Sequence, residues 1–419
     1  MTVNHSADEP LTRSAQGHTL HHNGIFSPDG HWVVFDGRND DTKIGENGVI
    51  GLVNVLTGEE KVIYRVENQT VYGPGVGAVS FSPTNDFVIF IHGLHDADRE
   101  KPYAITRRTG VGVDIHQPFH PVNMDARDKT APYTPGSLRG GTHSHAWSSD
   151  GRLISYTYND EQADPDLRVV GVMVPHEGRI EVDRVAGNNP GTYYSAIVTE
   201  VVREPVPGSD EISRAFDECW VDGSGQTPYR LAFQGNVCTA AGKTITEVFL
   251  VDLDPDRIRG DSAAAGREGE RPRVPAGIKQ RRLTFTENGI SDTRHWLRAD
   301  PEGKYIYALA KDEQGRNQIW RAEVESGRTE WISRNDFSID YTFNFDRQGR
   351  RICFVALNRV GVFDLEKQAT RFLTPDQAEG KIVGAPSFSP DNAFIVYNQY
   401  RKHDDGAEYL QIMTVKLKD

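Results

Sequence analysis

Long apolar runs are missing from this chain. No stretch approaches the ~20 apolar residues that span a bilayer, and apolar residues make up only 37% of it. A helical membrane protein is therefore excluded. Basic charge is in deficit: 47 Lys and Arg face 60 Asp and Glu, a formal charge of −13 over 419 residues. General nucleic-acid binding needs a basic face to neutralise phosphates and is excluded too, although a small basic pocket is not. Cysteine is scarce. Cys219, Cys238 and Cys353 are far apart, follow no metal-ligand spacing, and read as small core residues in a reducing compartment. The opening MTVNHSADEPLTRSAQGH has neither a basic n-region nor an apolar h-region, so the expected location is cytoplasmic. No G-x-S-x-G elbow, P-loop or H-E-x-x-H is present.

What the chain has is glycine, proline and a repeat. Its 40 Gly and 22 Pro punctuate many short β-rich segments. The unit is an apolar residue, a turn of the type S-P-D-G, then an alternating strand. It reads GIFSPDGHWVVFDGR at 24–38, VSFSPTNDFVIFIHG at 79–93 and HAWSSDGRLISYTYN at 145–159. It returns as LRADPEGKYIYALAK at 297–311, FNFDRQGRRICFVAL at 343–357 and PSFSPDNAFIVYNQY at 386–400. The register residues before the turns are Phe26, Phe81, Trp147, Ala299, Phe345 and Phe388, and a degenerate seventh copy at 216–236 aligns near Cys219. Each copy is a β-hairpin, because Pro, Asp, Asn and Gly make the turn and Val, Ile, Tyr and Phe fill the strands. Third and fourth strands follow most hairpins, and four-stranded units at such intervals mean propeller blades.

The expected architecture is all-β: one seven-bladed β-propeller over 1–419. Its blades fall at about 17–66, 67–115, 116–185, 186–286, 287–334, 335–376 and 377–419. The last copy lacks a fourth strand, and EPLTRSA at 9–15 looks like the fourth strands RRLTFT and RFLTPD. Residues 9–15 are therefore expected to complete the last blade and close the ring.

The FSPDG hairpin followed by a V-x-D/N-x-x-T-G-E strand resembles the TolB-type propellers. A closer resemblance, to the bacterial YidR-like family, rests on APYTPGSLRGGTHSHAWSSDGRLISYTYND at 131–160, PGSDEISRAF at 207–216, QRRLTFT at 280–286 and RHW at 294–296. Both resemblances imply a propeller and leave the activity open.

Channel-lining positions can be counted from the repeat. Four residues before the register residue stand His22, His143 and His295 in three blades, with Gly77, Tyr341, Gly384 and, in the doubtful copy, Ala215 in the others. Three imidazoles near one axis suggest a ligand set for a divalent ion such as manganese, iron, nickel or zinc. The second-strand ends return to the same face with Arg38, His92, Tyr158 and Asp160, and Trp296 adjoins His295. That mouth suits a small polar or anionic saccharide ligand. The segment 117–143 reads as a long insertion carrying Arg139, 202–217 as a loop and short helix over the same face, and 254–279 as a flexible loop.

The H-x-H before an FSPDG-like hairpin is similar to that of the oligogalacturonate lyases. The resemblance implies a metal-dependent lyase on a sugar-acid oligosaccharide, with His145 as the base and Arg139 holding the carboxylate. The alternative is a non-catalytic TolB-like module that binds a protein or small polar ligand. Strand alternation puts His143 and His145 on one side.

Overall fold

The S-x-D pattern of the repeat closes its hairpins by one set of bonds. In a computed structural model of the chain, which describes residues 9–40, 42–222, 229–376 and 379–417, Ser27 Oγ donates to Asp29 Oδ1 at 2.6 Å while accepting the Trp32 amide at 3.0 Å. Ser148 and Asp150 repeat this around Leu153, and Ser389 and Asp391 around Phe394. The serine satisfies an amide that would otherwise be orphaned at the turn. This explains why a short polar signature recurs beside strands of varied sequence.

Seven antiparallel sheets result. Blade 1 holds Trp32–Asp36, Val49–Asn54 and Glu60–Arg65, with Thr19 and Phe26 bridging to Asp36 and Val33 as a broken inner edge. Blade 2 holds Val76–Phe81, Phe87–Gly93, Arg108–Asp114 and Val122–Asn123, and blade 3 Gly141–Trp147, Ile154–Asn159, Arg168–Ile180 and Gly191–Ile197. Blade 4 is Ile212–Trp220, Tyr229–Cys238, Thr244–Leu253 and Gln280–Arg282. Blade 5 is Arg298–Ala299, Tyr305–Lys311, Asn317–Glu323 and Thr329–Trp331, and blade 6 Asn344–Phe345, Arg351–Ala356, Arg359–Asp364 and Ala369–Phe372. Blade 7 is Ile382–Phe388, Phe394–Lys402 and Glu408–Lys416, and its outer strand is Glu9–Pro10. The core lies between blades, as where Ile50 and Leu52 of blade 1 meet Val79, Phe81 and Phe90 of blade 2. Among the described residues no helix is long and apolar enough to cross a membrane.

Ring closure follows the expected route. Glu9 and Pro10 pair with Thr414 and Met413, and the Leu11 amide donates to Ile412 O at 2.8 Å. Leu11 packs with Phe394, Val396 and Ile412.

Three sequence expectations need correction. The seventh register residue is Trp220, not Cys219: Trp220 pairs with Leu231 as Trp147 pairs with Ile154. The position four residues back in that blade is therefore Phe216, not Ala215. Segment 202–217 carries no helix and instead enters the strand Ile212–Trp220. Segment 254–279 is ordered by a short helix, Pro255–Gly260, whose N-cap Asp254 accepts the Asp256 and Arg257 amides.

Candidate functional site

Each inner strand starts, and each second strand ends, at one face of the ring, as the pairs Val76↔His92 and Gly141↔Asn159 show. The channel below this face is plugged. Arg298 Nη2 of blade 5 donates to His22 O at 2.9 Å and contacts His22 Nδ1 at 3.1 Å, and its Nε donates to Asn344 Oδ1 at 2.9 Å. Asn344 Nδ2 donates to His22 O and Pro386 O, so blades 5, 6, 7 and 1 share one buried network. The Trp296 ring stacks on His22 with centroids 3.9 Å apart and planes at 13°. In a ring of seven, blades 5 and 1 are not neighbours, so these contacts cross the axis and form the floor of the mouth.

Replacing Arg298 by Met strips bonds from Asn344 Oδ1, Leu297 O and His22 Nδ1 in a dry interior. Each unmade buried bond costs about 1–3 kcal/mol, so the expected loss is at least about 3 kcal/mol, read as a lower urea midpoint at unchanged m-value.

The three expected metal ligands do not form one ligand set. His295 spends both ring nitrogens on backbone: Nδ1–H donates to Thr293 O at 2.6 Å and Nε2 accepts the Leu309 amide at 3.1 Å. Burial lowers its pKa to about 4. His22 keeps Nε2 without a protein partner, but its Nδ1 already faces the Arg298 guanidinium. Only His143 has both nitrogens unpartnered. Among the described residues no group of three or more His, Cys, Asp and Glu is placed to hold a metal ion. The residues present do not fit the expected three-histidine face, and no chemical step is assigned to a metal here.

Arg139 is a structural residue rather than a carboxylate holder for a ligand. Its guanidinium donates to Ala265 O and Glu270 O at 2.7 and 2.5 Å, stacks over Tyr133, and has Nε 3.3 Å from Asp160 Oδ2. Tyr158 donates to the same Asp160 oxygen at 2.8 Å, so Arg139, Tyr158 and Asp160 form one buried staple holding the 254–279 segment. His92 is spent as well: Nδ1–H bonds Gly93 O, and Nε2 accepts Tyr64 OH of blade 1 at 2.9 Å. Arg38 is gripped by Asp36, Nε to Oδ1 at 2.6 Å and Nη2 to Oδ2 at 2.8 Å. That pair lies across Gly77, where a Cβ would stand 3.1 Å from Arg38 Nε. This accounts for glycine at the blade 2 position that is histidine in three other blades.

His143 and His145 do not simply alternate. Ser144 adopts φ +57° inside a bulge, so one extra residue separates the pairs His143↔Thr157 and Ala146↔Ser155. The same extra residue, with a left-handed backbone, occurs at Ala78 in blade 2 and Asp217 in blade 4. Bulges re-aim side chains. Here one drops His145 onto Thr142 at 3.1 Å.

Beyond Arg38 and Arg139, four arginines near the mouth were not read from the sequence: Arg108, Arg168, Arg214 and Arg294. Arg108 and Arg168 are the first residues of the third strands of blades 2 and 3. Arg214 and Arg294 stack over Phe216 and Trp296, each with its guanidinium carbon 4.7 Å from the ring centre. Arg108 lies over Tyr103 and is buried with its Nε unbonded. These charges act on common neighbours. Burial first, and then Arg108, Arg168 and Arg214, hold the His143 pKa well below its ordinary value, so the imidazole is neutral. Burial pushes Asp217 up to about 6 although Arg294, Arg168, Arg214 and Arg298 all oppose it. Burial likewise lifts its neighbour Glu218 to about 8. A chain of net charge −13 thus brings several arginines to act on His143 and Asp217 together. The signal that could have shown this is an arginine opening the third strand of two consecutive blades.

Fold and site together define a seven-bladed β-propeller with a basic, histidine-bearing channel mouth. A family model described as a protein of unknown function (DUF3748) matches residues 75–189. The protein YidR of Escherichia coli (strain K12) is 35% identical over 407 residues, covering 93% of this chain and 94% of its own. The chain belongs to the YidR family. An oligogalacturonate lyase in complex with manganese superposes with a TM-score of 0.58 at 10% identity, over 98% of this chain and 96% of that one. The oligogalacturonate lyase of Vibrio parahaemolyticus gives 0.54 at 11% identity, over 98% and 94%. At such identity the likeness is one of fold.

Proposed function

We propose that the protein is a carbohydrate-active enzyme of the lyase type, acting on a sugar-acid-containing saccharide at the channel mouth. The observation that carries this reading is His143, a buried neutral imidazole with both nitrogens unpartnered, set among Arg108, Arg168 and Arg214. A bound carboxylate paired with these guanidiniums would gain charge-assisted bonds. The pairing also stabilises the enolate-like charge that develops when the adjacent C–H ionises. His143 takes that proton, the C–O bond to the leaving sugar breaks, and a C=C bond forms in the acid. The imidazolium then returns its proton to the leaving oxygen or to water. Ligand charge also offsets the arginine field and so lifts the basicity of His143 toward the working range. The metal dependence implied by the sequence resemblance is not part of this reading, because His295 is spent.

The test is a screen of short uronate oligosaccharides for unsaturated-product absorbance, wild type against His143→Gln. Wild-type activity that His143→Gln reduces by about 10²–10⁴-fold is expected for loss of a general base. No absorbance from the wild type on any uronate sinks the lyase reading. A propeller that only binds such an anion is the second reading, favoured by the lack of an assembled metal-ligand set among the described residues. Calorimetric binding without product would establish it.

A further inference from the structure

Asp125 lies in the segment joining blades 2 and 3 and is 1% exposed. Its two oxygens are committed in different directions. Oδ1 accepts the Gly110 amide at 2.6 Å, and Oδ2 accepts the Thr142 hydroxyl at 3.0 Å. Thr142 Oγ1 is also 3.1 Å from His145 Nε2, and both residues are fully buried. A hydroxyl has one proton. Because Thr142 gives it to Asp125, the bond to His145 must run the other way, from the imidazole to Thr142. His145 therefore carries its proton on Nε2 and leaves Nδ1 as a bare lone pair. That Nδ1 is buried and has no protein partner. Ser80 Oγ donates to the main-chain oxygen of His145 at 3.3 Å, and Gly110 leaves the space that Nε2 occupies, where a Cβ would stand 2.9 Å away.

We infer that Asp125 is a positioning residue: acting through Thr142, it fixes the tautomer of His145 and makes Nδ1 a permanent acceptor two residues from His143. The tautomer stands on the hydrogen bonds alone. Its use, accepting a hydroxyl or proton of the bound sugar acid, rests on the reading in the preceding section. His145 thereby stands as a fixed acceptor beside the base His143, a role that strand alternation does not supply.

Asp125→Asn inverts the chain. The Gly110 amide needs an acceptor, so the Asn carbonyl stays there and its NH₂ group replaces Oδ2. That group donates to Thr142, the Thr142 proton turns to Nε2, and His145 must move its own proton to Nδ1. The measurement is the pair of side-chain ¹⁵N resonances of His145 in full-length, histidine-labelled protein, identified by their loss in His145→Gln. Wild type is expected to show a proton-bearing Nε2 and a bare Nδ1, Thr142→Ser the same, and Asp125→Asn the exchanged pattern. A wild type with its proton on Nδ1, or a folded Asp125→Asn with the wild-type pattern, overturns the inference. Should Asp125→Asn not fold, the wild-type and Thr142→Ser spectra still decide it. If a uronate is turned over, Asp125→Asn should lower kcat by up to about 10⁴-fold, the scale of a wrong tautomer in a Ser–His–Asp enzyme, while Thr142→Ser keeps it. Absence of turnover removes the lyase reading and leaves the tautomer to the spectra.

Discussion

Deleting residues 1–16 should lower the melting temperature by roughly 5–6 °C, since the loss is on the order of 5 kcal/mol and, at about 2.1 cal/mol/K per residue, a 419-residue chain has an unfolding entropy of about 0.9 kcal/mol/K. The loss is local and identifiable. Leu11 leaves the cluster of Phe394, Val396 and Ile412, a truncation worth about 2–5 kcal/mol. Gln411 loses the Thr12 hydroxyl, which donates to its Oε1 at 2.7 Å, and the Ser14 carbonyl, which accepts from its Nε2 at 3.0 Å. Unmade buried bonds of this kind cost about 1–3 kcal/mol each. The Glu408–Lys416 strand also becomes an open edge, able to pair with another chain. The truncated protein should therefore both melt earlier and associate. A melt within a degree or two of the full chain would show that the Glu9–Pro10 pairing contributes nothing.

The fold was legible because its information is local. The S-x-D turn and the alternating strand after it are set by bonds spanning five residues, as between Ser27 and Trp32. The Ser-x-Asp form recurs at Ser27, Ser148 and Ser389, and Asp300 and Asp346 accept the same amide five residues on in two further copies. Blade 4 was misplaced by one residue because its register pair, Trp220↔Leu231, stands eleven residues apart where other blades have seven, as in Phe81↔Val88. Closure was legible for the same reason: a fourth-strand pattern stood at the wrong end of the chain.

The site was less legible because one repeat position does not dictate one side-chain direction. His143 and His295 hold equivalent places, yet the Ser144 bulge frees the first, while Thr293 and Leu309 capture the second. Arg139, Tyr158 and Asp160 share a face with the mouth but satisfy one another. Arg108 and Arg168 open equivalent strands, but Arg214 lies within an inner strand and Arg294 ahead of one, so no single repeat position links the four. Their convergence is a product of ring closure and cannot be counted along the chain.

Replacing Arg214 and Arg294 together by Gln should weaken binding of a carboxylate ligand by about 10²–10⁴-fold with little change in melting temperature. Each lost charged hydrogen bond is worth about 1.5–3 kcal/mol. Neither guanidinium supports the core: Arg214 stacks on Phe216 of an inner strand, and Arg294 on Trp296 just ahead of one. The pH dependence of the same binding reports Asp217, the carboxylate among these arginines. Burial raises its pKa to about 6, so it is ionised at pH 8 and neutral at pH 5. Ionised, it competes with the ligand for the arginines. Carboxylate affinity should therefore rise as pH falls from 8 to 5, and Asp217→Asn should bind more tightly at pH 8 with a smaller pH dependence, the remainder belonging to its neighbour Glu218, which burial lifts to about 8, and to His143. Stability runs the same way. A carboxyl whose folded pKa is raised contributes stability below its unfolded value of about 4, and that contribution is lost as pH rises through about 6. Asp217→Asn should then be relatively more stable at pH 8 than at pH 4. Calorimetry with a uronate at both pH values, on wild type and the two variants, is the measurement. Equal affinity of Arg214→Gln/Arg294→Gln and wild type would place the anion elsewhere, and affinity that falls with falling pH would show that Asp217 does not compete for these arginines.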